Sequence, residues 1–194
     1  LTYAGNLSNL NKFKNDSRHI FIKGNILDKD LLVYIFKKYK PRALINFAAE
    51  SHVDRSIKNP NIFIETNING TFNLLENSFI FWNRLSKAEK KIFRFIQIST
   101  DEVYGSLGKK DPNFTENSSF APNSPYSASK ASADHLVRSY HETYSLPTLT
   151  THSSNNYGPY QNHEKFIPKI IINALKHKKV PIYGDGENIR DWIY

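Results

Sequence analysis

The sequence contains no cysteine and no methionine, and none of its apolar runs approaches the eighteen or so residues of a membrane span. Without cysteine there is no disulfide framework, no thiolate nucleophile and no cysteine-ligated zinc site. His52, His135, His152 and His163 show no ligand spacing, so no metal site is expected. No basic-then-apolar signal segment opens the chain, and the expected location is the cytoplasm. The missing methionine includes the initiator: the chain starts at Leu1 and reads as a fragment whose beginning has been removed.

What is present is globular. Of 194 residues, 39% are apolar and 13% aromatic, enough for a large core in one domain or a domain and part of another. The net charge of +8 raises nucleic acid or an anionic small substrate as partners. The basic residues, however, come as scattered pairs (Lys37-Lys38, Lys90-Lys91, Lys109-Lys110, Lys178-Lys179) near predicted helix ends. That placement suits a solvated surface and helix dipoles rather than a groove, so neither nucleic acid nor a membrane is an expected partner.

Hydrophobic periodicity organises the chain. Leu1 to Asn11 reads as a loop and His19 to Ile22 as a short strand. Asp28 caps a helix whose apolar face is Leu31, Leu32, Ile35 and Phe36. Ala43 to Ala49, broken only by Asn46, reads as a parallel strand covered on both faces. A polar loop, Glu50 to Pro60, precedes a long helix, Ile64 to Trp82, with Ile64, Ile68, Phe72, Leu75, Phe79 and Trp82 on one stripe. After a charged connector, Asn83 to Lys91, a strand from Ile92 to Ile98 leads into a long Pro- and Ser-rich loop. A helix from Tyr126 to Tyr144, a strand from Thr148 to Ser153, a helix from Phe166 to His177 and a strand from Val180 to Tyr183 complete the pattern. Strands alternating with helices predict an α/β, doubly wound parallel sheet. Polar clusters follow three strand ends, at Glu50, Ser99 and Ser153, as expected of loops that share one crevice.

The chemistry gathers around Ser99-Thr100-Asp101-Glu102-Val103-Tyr104-Gly105. Such a cluster also serves simply to turn the chain. Downstream, Tyr126 and Lys130 stand four apart at a helix start and project on one face. A phenol is a poor base near neutrality, but a neighbouring ammonium favours the phenolate. The pair is then suited to take a proton from a sugar or alcohol hydroxyl as hydride leaves the carbon. Tyr34 and Lys38 share the spacing but lie at the wrong edge of the sheet; context, not spacing, selects Tyr126.

Ser-Thr-Asp-Glu-Val-Tyr-Gly at 99–105, Ser-Pro-Tyr-Ser-Ala-Ser-Lys-Ala-Ser-Ala-Asp-His at 124–135 and Ser-Asn-Asn-Tyr-Gly-Pro-Tyr at 154–160 resemble the extended short-chain dehydrogenase/reductases that act on nucleotide sugars, the 4,6-dehydratases above all. Ala48-Ala49-Glu50-Ser51-His52-Val53-Asp54-Arg55-Ser56, Glu65-Thr66-Asn67 and Arg190-Asp191-Trp192 match as well. The resemblance implies a Rossmann-type domain, NAD as cofactor and a nucleotide sugar such as dTDP-glucose as substrate. It implies that Tyr126, aided by Lys130, accepts the carbon-4 proton, with Thr100 on the same hydroxyl. Glu102 would remove the carbon-5 proton and Asp101 protonate the departing carbon-6 hydroxyl. It places the cofactor near Leu1, Thr2, Asn25, Ile26, Phe47, Ala48, Ala49, Glu50, Ser51, Thr66, Tyr126, Lys130 and Asn156. The substrate falls near Ser51, Thr100, Asn155, Lys165, Phe166, Pro181, Ile182, Tyr183 and Arg190. A homodimer through the two long helices is implied too. A UDP-sugar epimerase or decarboxylase of the same superfamily, or a non-catalytic nucleotide-binding fragment, is the alternative; Asp101-Glu102 speaks against an epimerase, which needs no elimination pair.

Against the family pattern, the Gly-rich pyrophosphate loop and the acidic residue ending the second strand are expected just before Leu1, and Asn25 stands where the family has Asp. The expected division is a partial NAD-binding domain, 1–156, and the start of a smaller substrate lobe, 157–194. With two strands of a 3-2-1-4-5-6 order missing, His19–Ile22 would lack a neighbour and the Ala43 strand would become an edge. The isolated chain is therefore expected to fold poorly and bind NAD negligibly.

Overall fold

A computed structural model describes residues 2–180, 182 and 184–194. The chain divides into two compact units, 25–153 and a second formed by 1–24 with 154–194.

The 25–153 unit is built on three parallel strands, β1 (Ala43–Asn46), β2 (Arg94–Thr100) and β3 (Thr148–Ser153), in the order β1-β2-β3. Asn46 aligns with Gln97, and Ser99 with His152. Helix α1 (Lys29–Tyr39) starts where the Asp28 side chain accepts the Leu31 N–H. Helix α2 (Val53–Lys58) occupies what reads in sequence as a plain loop. A continuous helical run then passes through α3 (Asn61–Phe63), a π-helical turn (Ile64–Asn69) and α4 (Gly70–Asn83). The presumed charged connector contains α5 (Lys87–Ile92), opened by a capping box between Ser86 and Glu89. Helix α6 (Pro125–Tyr144) begins at a second capping box, Ser124 with Ser127, with proline in its first turn.

Phe93, Phe95, Leu74, Leu75, Val137, Tyr140 and Leu146 form the main core between sheet and helices. A smaller cluster, Val103, Tyr104 and Ala131, packs with Phe114 and Phe120. The side of β2 that carries Phe95, Gln97 and Ser99 is buried; on β1, Ile45 is half-exposed, so that strand is not covered on both faces. It is also shorter than its sequence suggests, ending at Asn46. The stripe expected on the long helix holds in its second half, where Leu75 is buried and Phe79 and Trp82 pack against the core, and fails in its first. Ile64 and Phe72 are half-exposed, while Phe63, Asn67, Thr71, Leu74 and Ser78 are buried. The π turn adds a residue to the helix and brings polar side chains to the sheet, where Asn46 Nδ2 donates to Thr71 Oγ1 (3.2 Å) and Gln97 Oε1 (2.9 Å).

In the other unit, a 3-10 turn spans Leu7–Phe13, β4 (Asn155–Asn156) pairs in parallel with β5 (Trp192–Ile193), and α7 (Phe166–Leu175) lies between them in sequence. His19–Ile22 forms no strand, for want of a hydrogen-bonded neighbour, and β1 is an edge of its sheet among the described residues. The strand expected from Val180 to Tyr183 falls partly outside the described residues. No helix among those described is long and apolar enough to cross a membrane.

Candidate active site

The exit of β2 is fixed by the packing of the residues that follow it. Thr100 caps a 3-10 turn, Asp101–Tyr104, by accepting the Glu102 N–H at 3.3 Å. Val103 and Tyr104 plug the turn into the smaller core cluster, with the Tyr104 ring stacked on Phe114 at 5.2 Å. This leaves Asp101 and Glu102 partly exposed at the end of the strand. Gly105 closes the turn at φ +95, where an added Cβ would sit 2.6 Å from the Ala121 carbonyl oxygen.

The capped start of α6 brings Tyr126 and Lys130 to the same point. Both are buried, Lys130 to 4% exposure, and α6 packs against the turn that carries Asp101 and Glu102. Burial and the neighbouring charges of Glu102, Asp101 and Asp134 push the phenol well above its ordinary value. Lys130 is not among the groups acting on it: its ammonium donates to the Ile98 carbonyl at 2.6 Å, and burial lowers it while Asp134 supports it. Within this chain, then, the balance on Tyr126 runs opposite to the expected depression, because burial first and the acids after it raise the phenol while Lys130 does not act on it.

At the exit of β1, Phe47 is 73% exposed and Ala48 is exposed, followed by buried Glu50. Two asparagines hold this backbone. Asn46 Oδ1 accepts the Ala48 N–H at 3.1 Å. Asn67, in the π turn, accepts the Glu50 N–H at 2.9 Å and donates to the Glu50 carbonyl at 3.0 Å. The same Asn67 amide donates to Ser129 Oγ at 2.8 Å and so ties the β1 exit to α6. Asn67 and Asn46 carry no role in the sequence reading; asparagine inside otherwise apolar segments was the available signal.

The remaining residues distribute as follows. Asn25 is exposed and accepts the Leu27 N–H, while half-buried Ile26 packs against the core and accepts from Asn73. Ser51 and Thr66 are half-buried. In the other unit, Thr2 is exposed, Asn155 and Asn156 form β4, Lys165 precedes α7, and Phe166 stacks on Trp192 at 6.0 Å. Ile182 is exposed, as is Arg190, which donates to the Ile189 carbonyl. Leu1, Pro181 and Tyr183 lie outside the described residues. No group of three or more acidic, histidine or cysteine side chains among the described residues is arranged to hold a metal ion.

A sequence model of one family, described as GDP-mannose 4,6 dehydratase, matches residues 1–194. The chain belongs to that family. It is 54% identical over 194 residues to the dTDP-glucose 4,6-dehydratase of Neisseria meningitidis serogroup B, covering 100% of this chain and 55% of that protein. Among solved structures, the dTDP-glucose 4,6-dehydratase of Bacillus anthracis in complex with NAD is 46% identical with a TM-score of 0.86, over 100% of this chain and 56% of that one. The Streptomyces venezuelae dTDP-glucose 4,6-dehydratase, also with NAD bound, is 44% identical with a TM-score of 0.90 at the same coverage. The chain thus spans about half the length of the relatives it matches, and its α/β, Rossmann-type architecture is theirs.

Proposed function

We propose that the protein containing this chain is an NAD-dependent hydro-lyase that converts dTDP-glucose to its 4-keto-6-deoxy product. The observation that carries this reading is the packing of α6, with its buried Tyr126 and Lys130, against the turn at the β2 exit that carries Asp101 and Glu102. A base alone would serve an epimerase; the adjacent acid and base serve an elimination.

The residues present suit a dinucleotide. The β1 exit offers the small Ala48 and Ala49 and a main chain held by Asn46 and Asn67, and Tyr126 and Lys130 offer donors suited to ribose hydroxyls. NAD, when bound, would supply the acceptor for the carbon-4 hydride and its donor at carbon 6. Tyr126 accepts the carbon-4 hydroxyl proton while Thr100 holds that hydroxyl in place. A phenol raised in this way needs positive charge nearby before it can accept a proton, a charge that Lys130, four residues on along the same helix, would supply. Glu102 then removes the carbon-5 proton, made acidic by the new ketone, and Asp101 delivers a proton to the leaving hydroxyl. Phe47 to Ser51, Asn25, Ile26 and Thr66 serve the cofactor in this reading, with Leu1, Thr2 and Asn156. Ser51, Asn155, Lys165, Phe166, Pro181 to Tyr183 and Arg190 serve the substrate; Lys165 and Arg190 match a pyrophosphate by charge and fork geometry. The half-exposed Ile64, Phe72 and Ile80 support a homodimer through the long helices, and the location proposed is the cytoplasm.

Incubating the full-length protein with NAD and dTDP-glucose tests the reading. A 4-keto-6-deoxy sugar is expected; a 4-epimer with no keto product would replace dehydration with epimerisation.

A further inference from the structure

The turn that carries Asp101 and Glu102 is tied down on both sides by one chain of side chains. Ser99, which precedes it on β2, donates its hydroxyl to Asp134 Oδ2 on α6 at 2.6 Å. The same Oδ2 lies 3.1 Å from His152 Nε2 on β3. His152 Nδ1 lies 3.3 Å from the hydroxyl of Tyr104, the last residue of the turn. Ser99 and His152 are register partners on adjacent strands, so the sheet itself sets the spacing. One tautomer satisfies every contact, with Tyr104 donating to Nδ1 and Nε2–H donating to Asp134. Burial raises the Tyr104 phenol, and Glu116 and Asp134 add to it, so the hydroxyl keeps its proton. Its ring is enclosed by Phe114, Phe120 and the imidazole, at 5.2, 5.3 and 5.1 Å between centroids.

Apolar packing alone would seat the Tyr104 ring. What the hydroxyl, imidazole and carboxylate add is direction, because hydrogen bonds fix an orientation that packing leaves open. Between the two anchors, Thr100 is still part of β2 and paired with Ser153. Only Asp101, Glu102 and Val103 then separate it from Tyr104, so a displaced Tyr104 carries the acid and the base with it. Tyr126 and Lys130 have separate supports, the capping box that opens α6 and the Ile98 carbonyl. We propose that His152 is a positioning residue for Asp101 and Glu102: through Tyr104 on one side, and through Asp134 and Ser99 on the other, it fixes the turn from which they act. The effect on turnover rests on the dehydratase reading; the chain of bonds does not. Loosening the turn should spare hydride transfer from carbon 4, which depends on Tyr126 and Thr100, and slow the loss of water.

Tyr104→Phe and His152→Gln, made in the full-length protein with NAD bound, both cut the bond between these two residues. Ser99→Ala, which cuts the chain at its other end, serves if His152→Gln does not fold. On rapid mixing with dTDP-glucose, NAD reduction should keep its rate within about twofold while water loss slows about tenfold. Reduced cofactor should therefore build up above the wild-type level. The double variant should be no slower than the slower single one, because both break the same link. Equal slowing of both steps, no slowing of either, or losses that multiply would overturn the proposal. A second readout is 15N NMR of the His152 ring, assigned by its loss in His152→Gln. Nε2 should carry the proton, and Tyr104→Phe should move the Nδ1 signal; a ring protonated on Nδ1, or an Nδ1 signal that stays put, also overturns it. A wild-type protein that makes no keto sugar overturns the dehydratase reading instead, and the ring nitrogens then decide whether His152 holds the turn.

Discussion

Adjacent parallel strands end in opposite ways. Past β2 the chain turns into packed side chains: Thr100, Val103, Tyr104, Tyr126 and Lys130 are all buried. Past β1 it presents exposed Phe47 and Ala48, with the backbone held from beneath by Asn46 and Asn67. In the function proposed, the difference matches two tasks. Proton transfer demands groups fixed within a hydrogen bond of one another, whereas a dinucleotide is held by surface and main chain. Damage at the β2 exit should therefore appear in kcat, and damage at the β1 exit in cofactor affinity.

Substitutions at the two exits sharpen that contrast. Tyr126→Phe should lower kcat about 10³-fold with little change in KM, measured as keto-sugar formation by the full-length protein. Asp101→Asn should still reduce NAD on mixing with substrate but eliminate water roughly 10²-fold more slowly; unchanged turnover would remove Asp101 as the acid. Gly105→Ala, forced to φ +95 with its methyl against the Ala121 carbonyl, should destabilise the unit by about 3 kcal/mol in urea titrations. Asn67→Ala leaves the buried Glu50 N–H without its acceptor and should cost about 2 kcal/mol. Its functional loss belongs in the NAD dissociation constant; a pure kcat effect would erase the distinction between the exits.

The smallest effect is on stability at high pH. Because folding raises the Tyr126 phenol, its contribution is fully present below the unfolded value of about 10 and is lost as pH climbs past it. Wild type should therefore weaken above that pH more than Tyr126→Phe, by denaturant midpoint; Tyr140, raised in the same direction by burial and Glu76, remains in both proteins.

The parallel α/β plan was legible because it rests on local pattern. Thr148–Ser153 shows the length of a strand in its own residues, and Ser124-Pro125 announces the start of α6. Tyr126 was separable from Tyr34 only by its place after a strand exit. What escaped depends on residues far apart in sequence. Asn46, Gln97 and Thr71 form one buried network that no window contains, and Asn67 acquires its role only where the π turn meets Glu50 and Ser129. His19–Ile22 has the composition of a strand, but a strand needs a partner. Asp134 reads as an ordinary polar helix position until the register of β2 and β3 sets Ser99 and His152 beside it.

Substrate carrying deuterium at carbon 4 of the glucose tests most directly whether one cluster of side chains works around a single hexose. With the full-length protein, the label should reappear at carbon 6 of a 4-keto-6-deoxy product. Label returned to carbon 4 of an unreduced hexose, or a product methyl group without it, would contradict the account.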